Sequence, residues 1–519
     1  MNTRPLRSLV FSLSASLAFA AAASAQSVSS TGDVSPGPVT TPTWNVGSYL
    51  VIGDTSDGTL TIGTGGEVST GSFATFIGQN AGVTGTLLLN GGTFTTTSVL
   101  RLGEGAGGVG VLTMNSGNLS AVNLNVGVLG AGTFTLSGGT VATGYTSIAD
   151  GTGVTGAVTM SGGSWDIAGE LNVGSNGTGS FALSGGALTT HTSIYLGNLE
   201  STSGNATVTV SGGTWTLNDP SGGTAKIHIG ESGTGTFNLT GSGSVTMSGN
   251  GGVEIARYSS GTGTLNFGAY DLGAATTAGT LTAHRVAFGS GTGTINFNQT
   301  NALTLALPIS GTGTLHQRGT GTTTLTSINS DFHGATHVTG GTLVLAASSI
   351  YPESALGDST LTVGAAGTLA GNGWVLGAAT VDGTLLPGNA TTVGAFDFAS
   401  DLTLGAGANT ILSLAALYDY SRIDVGGLLT YGGTLTVNFL DGYTPDTNAS
   451  YYVFGDHGGR TGTFNAIAVN AAGWTGVFDH DTGALTFTAS AVPEPSTYAA
   501  LFGVCALGLA VWRRRRVCA

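Results

Sequence analysis

One mark recurs along the first half of the chain: an apolar residue closed by Gly or Ala, ending at Gly53, Gly78, Gly103, Gly127, Ala149, Gly174, Gly197, Gly230 and Ala256. Successive spacings are 25, 25, 24, 22, 25, 23, 33 and 26 residues. A second mark falls between them, Asn-Gly-Gly at Asn90, Asn-Ser-Gly at Asn115, and Ser-Gly-Gly at Ser137, Ser161, Ser184 and Ser211. Short alternating segments precede it, such as Thr133-Phe134-Thr135-Leu136, and a period of two puts Phe and Leu on one face of a strand and Thr on the other. Each unit therefore reads as strand, Gly turn, strand, Gly-rich corner. A unit of about 24 residues is too short for a four-stranded propeller blade. It fits one coil of a parallel β-solenoid, in which stacked coils line up their inward Val, Ile, Leu and Phe and continue one another's hydrogen bonds. Roughly sixteen such coils at about 4.8 Å each predict a rod near 80 Å long.

The composition agrees with this reading and excludes several others. Gly fills 91 of the 519 positions and charged residues are 8%, yet 40% of the chain is hydrophobic, enough to bury a core rather than stay disordered. Between Gln26 and Val492 there are seven Lys or Arg against 26 Asp or Glu, a net charge of −19. Such a surface disfavours nucleic acid and anionic lipid as partners. The two cysteines, Cys505 and Cys518, both lie in the tail, so no disulfide can form inside the repeat region.

Both ends read as addresses. At the start, Arg4 and Arg7 precede an apolar run from Leu9 to about Ala22, and Ala23-Ser24-Ala25 before Gln26 fits a small-residue cleavage site, as in a secretory signal peptide over 1–25. At the other end, Pro493-Glu494-Pro495 precedes an apolar stretch and the cluster Arg513, Arg514, Arg515 and Arg516. A single transmembrane helix is expected over about 496–512, marginal in length, with the arginines cytoplasmic and Tyr498 and Trp512 at the interfaces. The two prolines would hold the site before it extended. This tail resembles the PEP-CTERM sorting signal. The resemblance implies recognition and processing by an exosortase, a membrane-embedded cysteine protease-like enzyme, transient membrane anchoring, and a Gram-negative host that makes exopolysaccharide.

Beyond about Ser259 the period loosens. Residues 310–346 are similar to the autotransporter-associated β-strand repeat, with matches at Gly311, Gly313, Leu315, Gly319, Gly321, Leu325, Val338, Gly341, Thr342, Leu343 and Leu345, and Gln317 where that family usually has Lys. Later stretches, such as Val381–Asn389, resemble autotransporter passengers, which implies a right-handed parallel β-helix. The translocator barrel of that family is missing. Residues 411–419 (ILSLAALYD) read as the one helix-like segment of the stack. The expected order is signal peptide 1–25, flexible lead 26–48, regular solenoid 49–258, degenerate solenoid 259–345, passenger-like end 346–490 and sorting signal 491–519.

Polysaccharide lyases and hydrolases also use β-helices, with clustered carboxylates or Ca²⁺ ligands on one face. Here Lys226 is the one lysine and the arginines of the middle fall singly. Glu254 and Arg257 read as a surface ion pair, and Asp54 and Asp57 as turn residues. His333 and His337, with Asp331 nearby, lack a further zinc ligand, and Asp456-His457 and Asp479-His480-Asp481 read the same way. No Gly-x-Ser-x-Gly, P-loop or His-Glu-x-x-His motif occurs. The expectation is an all-β, non-enzymatic protein without cofactor or metal, exported to the cell surface or extracellular matrix. It would adhere to exopolysaccharide or neighbouring cells. A carbohydrate-active enzyme and a plain structural stalk are the alternatives.

Overall fold

The computed structural model describes residues 28–37, 39–197, 204–220, 222–270, 273–329, 331–346, 356–455, 458–489 and 495–517. They form a parallel β-solenoid of about 15 turns, followed by one helix.

Through the regular half each coil lays down three short strands, one on each of three faces. On the first face Ala131–Leu136 pairs in parallel with the coil before and with Thr155–Met160 of the coil after, so that Phe134 lies between Leu112 and Val158. On the second, Ser164–Ile167 sets Trp165 between Val141 and Leu188. On the third, Leu171–Val173 sets Val173 between Ile148 and Leu196. These inward residues are almost wholly shielded from solvent. Inside, rings from the first and second faces alternate: Phe134, Trp165, Phe181, Trp215 and Phe237 follow one another at centroid distances of 5.1, 6.0, 5.8 and 5.9 Å. The buried indole N–H groups are satisfied, Trp165 donating to Thr143 Oγ1 at 3.0 Å and Trp215 to Thr190 Oγ1 at 3.1 Å.

The corner marks have a backbone cause. All nine adopt positive φ, from 54° at Ala256 to 80° at Gly127. Gly supplies that conformation without a steric penalty. Space is a second constraint: a Cβ on Gly78 would lie 2.1 Å from the carbonyl oxygen of Val109. Ala149 and Ala256 hold the same corner at φ 60° and 54°.

Two stretches differ from the sequence reading. Residues 26–48 were expected as a flexible lead. From Val28 onwards they are a cap: Val28–Gly32 runs antiparallel to Gly58–Gly63, Val34–Ser35 antiparallel to Leu50–Ile52, and Thr43–Asn45 parallel to Glu67–Gly71. Asp33 fixes the cap, its Oδ2 accepting from both the backbone N–H and the Oγ1 of Thr55 at 2.7 Å. The helix-like segment 411–419 is mostly strand. Asn409–Ala416 pairs with Thr434–Phe439 over six residues and with Thr384–Pro387, and this pairing overrides helix propensity. The stack ends in a three-stranded antiparallel sheet of Tyr451–Tyr452, Trp474–Asp479 and Ala484–Ala489 over a cluster of Tyr431, Phe454, Phe464 and Phe478.

Candidate functional site

The three faces differ in what they turn outward. The first is dominated by Thr, Ser and Ala up to Thr207, and beyond that an amide ladder runs along it with Asn238 and Asn266 shielded from solvent: Asn238 donates to Thr209 Oγ1 at 3.0 Å, Asn266 to Asn238 at 2.8 Å and Asn296 to Asn266 at 2.8 Å. The second carries a groove of about 380 Å³ where hydroxyl and amide groups such as Asn118, Ser120 and Ser164 alternate with apolar side chains such as Leu119, Val141 and Trp165. Its one carboxylate, Asp166, meets His191 Nε2 at 2.7 Å.

Ionisable chemistry concentrates on the third face. Here the middle residue of each short strand stands in register with the next: Phe76, Arg101, Asn125, Ser147, Asn172, Tyr195, His228 and Glu254 form one column, in which Ser147, Asn172 and His228 are buried. Tyr195 stacks on His228 with centroids 4.9 Å apart and planes 2° from parallel. Glu254 Oε2 lies 3.1 Å from both Lys226 Nζ and His228 Nδ1. These partners, His228 first, hold the Glu254 carboxyl down at about 2. Beside the column Glu231, fully buried, receives Arg257 Nη1 at 2.8 Å, while its Oε2 has no partner. Burial pushes the Glu231 carboxyl up, against the pull of His228 and Arg257. Two carboxylates of one cluster thus sit in opposite environments.

The expected Glu254–Arg257 pair does not form. Glu254 turns to the coil before it, and Arg257 reaches back to Glu231. Asp54 and Asp57 brace the next coil rather than closing a local turn, Asp54 Oδ1 accepting from Asn80 Nδ2 and Asp57 Oδ1 from the Thr84 N–H, each at 2.7 Å. His333 and His337 share the strand Phe332–Val338 but part company: His333 pairs with Asp358, and His337 stacks on His316 at 4.9 Å. Burial, with Arg318 and His337, pushes His316 down to about 4. Asp479 caps its own turn through Asp481 and Thr482, and His480 Nε2 accepts from the Phe464 N–H at 3.0 Å. Asp456 and His457 lie outside the described residues, as do Ala23, Ala25 and Gln26 of the signal-peptide site. Among the described residues no group of three His, Cys, Asp or Glu is placed to hold a metal ion.

In the tail, Pro493 and Glu494 lie outside the described residues, and Pro495 opens the helix Pro495–Val517, which carries Arg513, Arg514, Arg515 and Arg516. Leu501, Phe502, Val504 and Leu507 stand exposed on it. Residues 491–516 match the PEP-CTERM protein-sorting motif. The PEP-CTERM match implies exosortase-dependent export, and it covers the tail alone. The expected transmembrane span over 496–512 is corrected: among the described residues no helix is long and apolar enough to cross a membrane. Within the helix Pro495–Val517 the part before Arg513 falls short of a hydrocarbon core of about 30 Å at 1.5 Å per residue, and four arginines follow it. The family comparison shows no autotransporter-associated repeat. No curated protein matches the chain.

Proposed function

We propose that this chain is an exported, non-enzymatic β-solenoid of the cell surface or extracellular matrix, with a cleaved signal peptide over 1–25 and exosortase processing at its PEP-CTERM tail. The observation that carries the reading is the motif at 491–516 attached to a rod of about 15 turns. Its role is adhesion, to exopolysaccharide or to neighbouring cells. The hydroxyl-rich outward rows of the first two faces and the groove of the second supply hydrogen-bonding groups at the coil repeat of about 4.8 Å.

The rival is a carbohydrate-active enzyme using Glu231 and Glu254, whose environments separate them as an acid and a base require. Against it stands the pairing: Glu254 is held between Lys226 and His228, and Glu231 is fully buried behind Arg257. The two are separated by incubating the purified protein with a polysaccharide panel. Adhesion predicts retention without new reducing ends or unsaturated products. Products that disappear in Glu254→Gln would establish the enzyme instead.

A further inference from the structure

Large rings are rare on the outside of this rod, yet three gather on the third face of its first two coils. Tyr49 precedes the strand Leu50–Ile52, Phe73 precedes Thr75–Ile77, and Phe76 lies outward within the latter. Tyr49 stands edge-on to Phe73 at 5.6 Å and stacks on Phe76 at 5.8 Å with planes 29° apart. Tyr49 is 57% and Phe73 38% exposed. No ring of this patch serves the core, which Leu50, Ile52 and Ile77 fill from the other side of the same strands.

The next coil decides what such a patch can bind. Phe76 is in register with Arg101, which gives Nη1 to Glu104 Oε1 at 2.9 Å. The two paired side chains stay 37% and 24% exposed, so a polar, charge-balanced pair borders the rings. An acyl chain or an apolar knob of a protein would leave this mixture of donors and acceptors unmatched. A phosphate would use the arginine and be repelled by Glu104. A sugar residue satisfies both halves: its C–H face covers an aromatic ring, and each hydroxyl donates and accepts at once. The pairing of Arg101 by Glu104 and the acidic balance of the chain favour a neutral polymer over an anionic one.

We propose that Tyr49, Phe73 and Phe76, bordered by Arg101 and Glu104, form a binding site for the sugar rings of a neutral polysaccharide. It rests on the adhesive reading above and gives that reading an anchor.

The test is retardation of the full chain in native gels containing hydroxyethylcellulose, xyloglucan or dextran, with alginate as the anionic arm and flotation with phosphatidylcholine vesicles as the lipid arm. The wild type should be retarded by at least one neutral polymer and less by alginate. Tyr49→Ala/Phe73→Ala should weaken that retardation at least tenfold at unchanged circular dichroism, and Tyr418→Ala, equally aromatic but remote, should not. Retardation that survives the double substitution would overturn the site and leave adhesion standing elsewhere on the rod. Absence of retardation in every neutral gel would overturn the site as a neutral-glycan site, and retardation by alginate alone would leave adhesion standing on an anionic polymer. Vesicle flotation abolished by the same double substitution would reassign the patch to a lipid surface.

Discussion

At the scale of single residues, the corners and the cross-coil pairs carry the chemistry. A corner residue must accept positive φ and leave room for the neighbouring backbone. Gly78→Val should therefore destabilise the rod by at least about 2 kcal/mol in denaturant unfolding, since the left-handed conformation alone costs a non-Gly residue about 1–2 kcal/mol. Ala149→Gly removes that cost at φ 60° and should be neutral or mildly stabilising in the same assay. The third-face carboxylates give a pH signature. The Glu254 carboxyl sits at about 2 in the folded chain against 4.5 in the unfolded one. Its contribution, on the order of 3 kcal/mol, is present above pH 4.5 and is lost as pH falls from there towards 2. Glu231 is raised, so its ionisation costs stability at neutral pH, and that cost is relieved as pH falls and the carboxyl is protonated. Unfolding followed between pH 7 and pH 3 should show a large loss at pH 7 for Glu254→Gln and a shallower acid-side decline. Glu231→Gln should cost less at pH 7. Equal costs would contradict this assignment.

At the scale of elements, legibility followed sequence distance. The strand–turn–strand unit was readable because its signals, alternation and Gly corners, lie within one coil. Asn238, Asn266 and Asn296 occupy the same place in Thr-Gly-Thr-x-Asn segments, so their ladder was also present in the sequence for a reader who aligned the coils. Sequence proximity pairs Glu254 with Arg257, three residues away, whereas its partners lie one coil earlier; a parallel stack makes residues about 25 apart into neighbours. The amino-terminal cap is not legible in the sequence because its Ser, Thr and Pro content resembles a linker, and its antiparallel pairing leaves no repeat. Residues 411–419 lack the Gly and Thr that mark the other strands, and only pairing on both sides makes them one. The cap predicts its own test. It covers an open sheet edge, and bare edges recruit other strands. Removing residues 28–45 should convert a soluble species into higher oligomers by sedimentation; an unchanged sedimentation profile would show that the first coil needs no cover.

At the scale of the whole molecule, a rod of about 15 turns is joined to a tail of about two dozen residues. The rod offers long hydroxyl-bearing faces and one chemically dense column; the tail carries the PEP-CTERM motif and an exposed apolar helix that ends in arginines. Circular dichroism of the full chain should be dominated by β structure, with the helical signal confined to about one twentieth of the residues. The most direct measurement is the intact mass of the protein recovered from a host with an exosortase and from the same host without it. The account predicts a chain lacking its C-terminal tail in the first and a chain retaining it in the second, and retention in both for Pro493→Ala/Glu494→Ala/Pro495→Ala. The same mass from both hosts, or normal trimming of the triple variant, would contradict it.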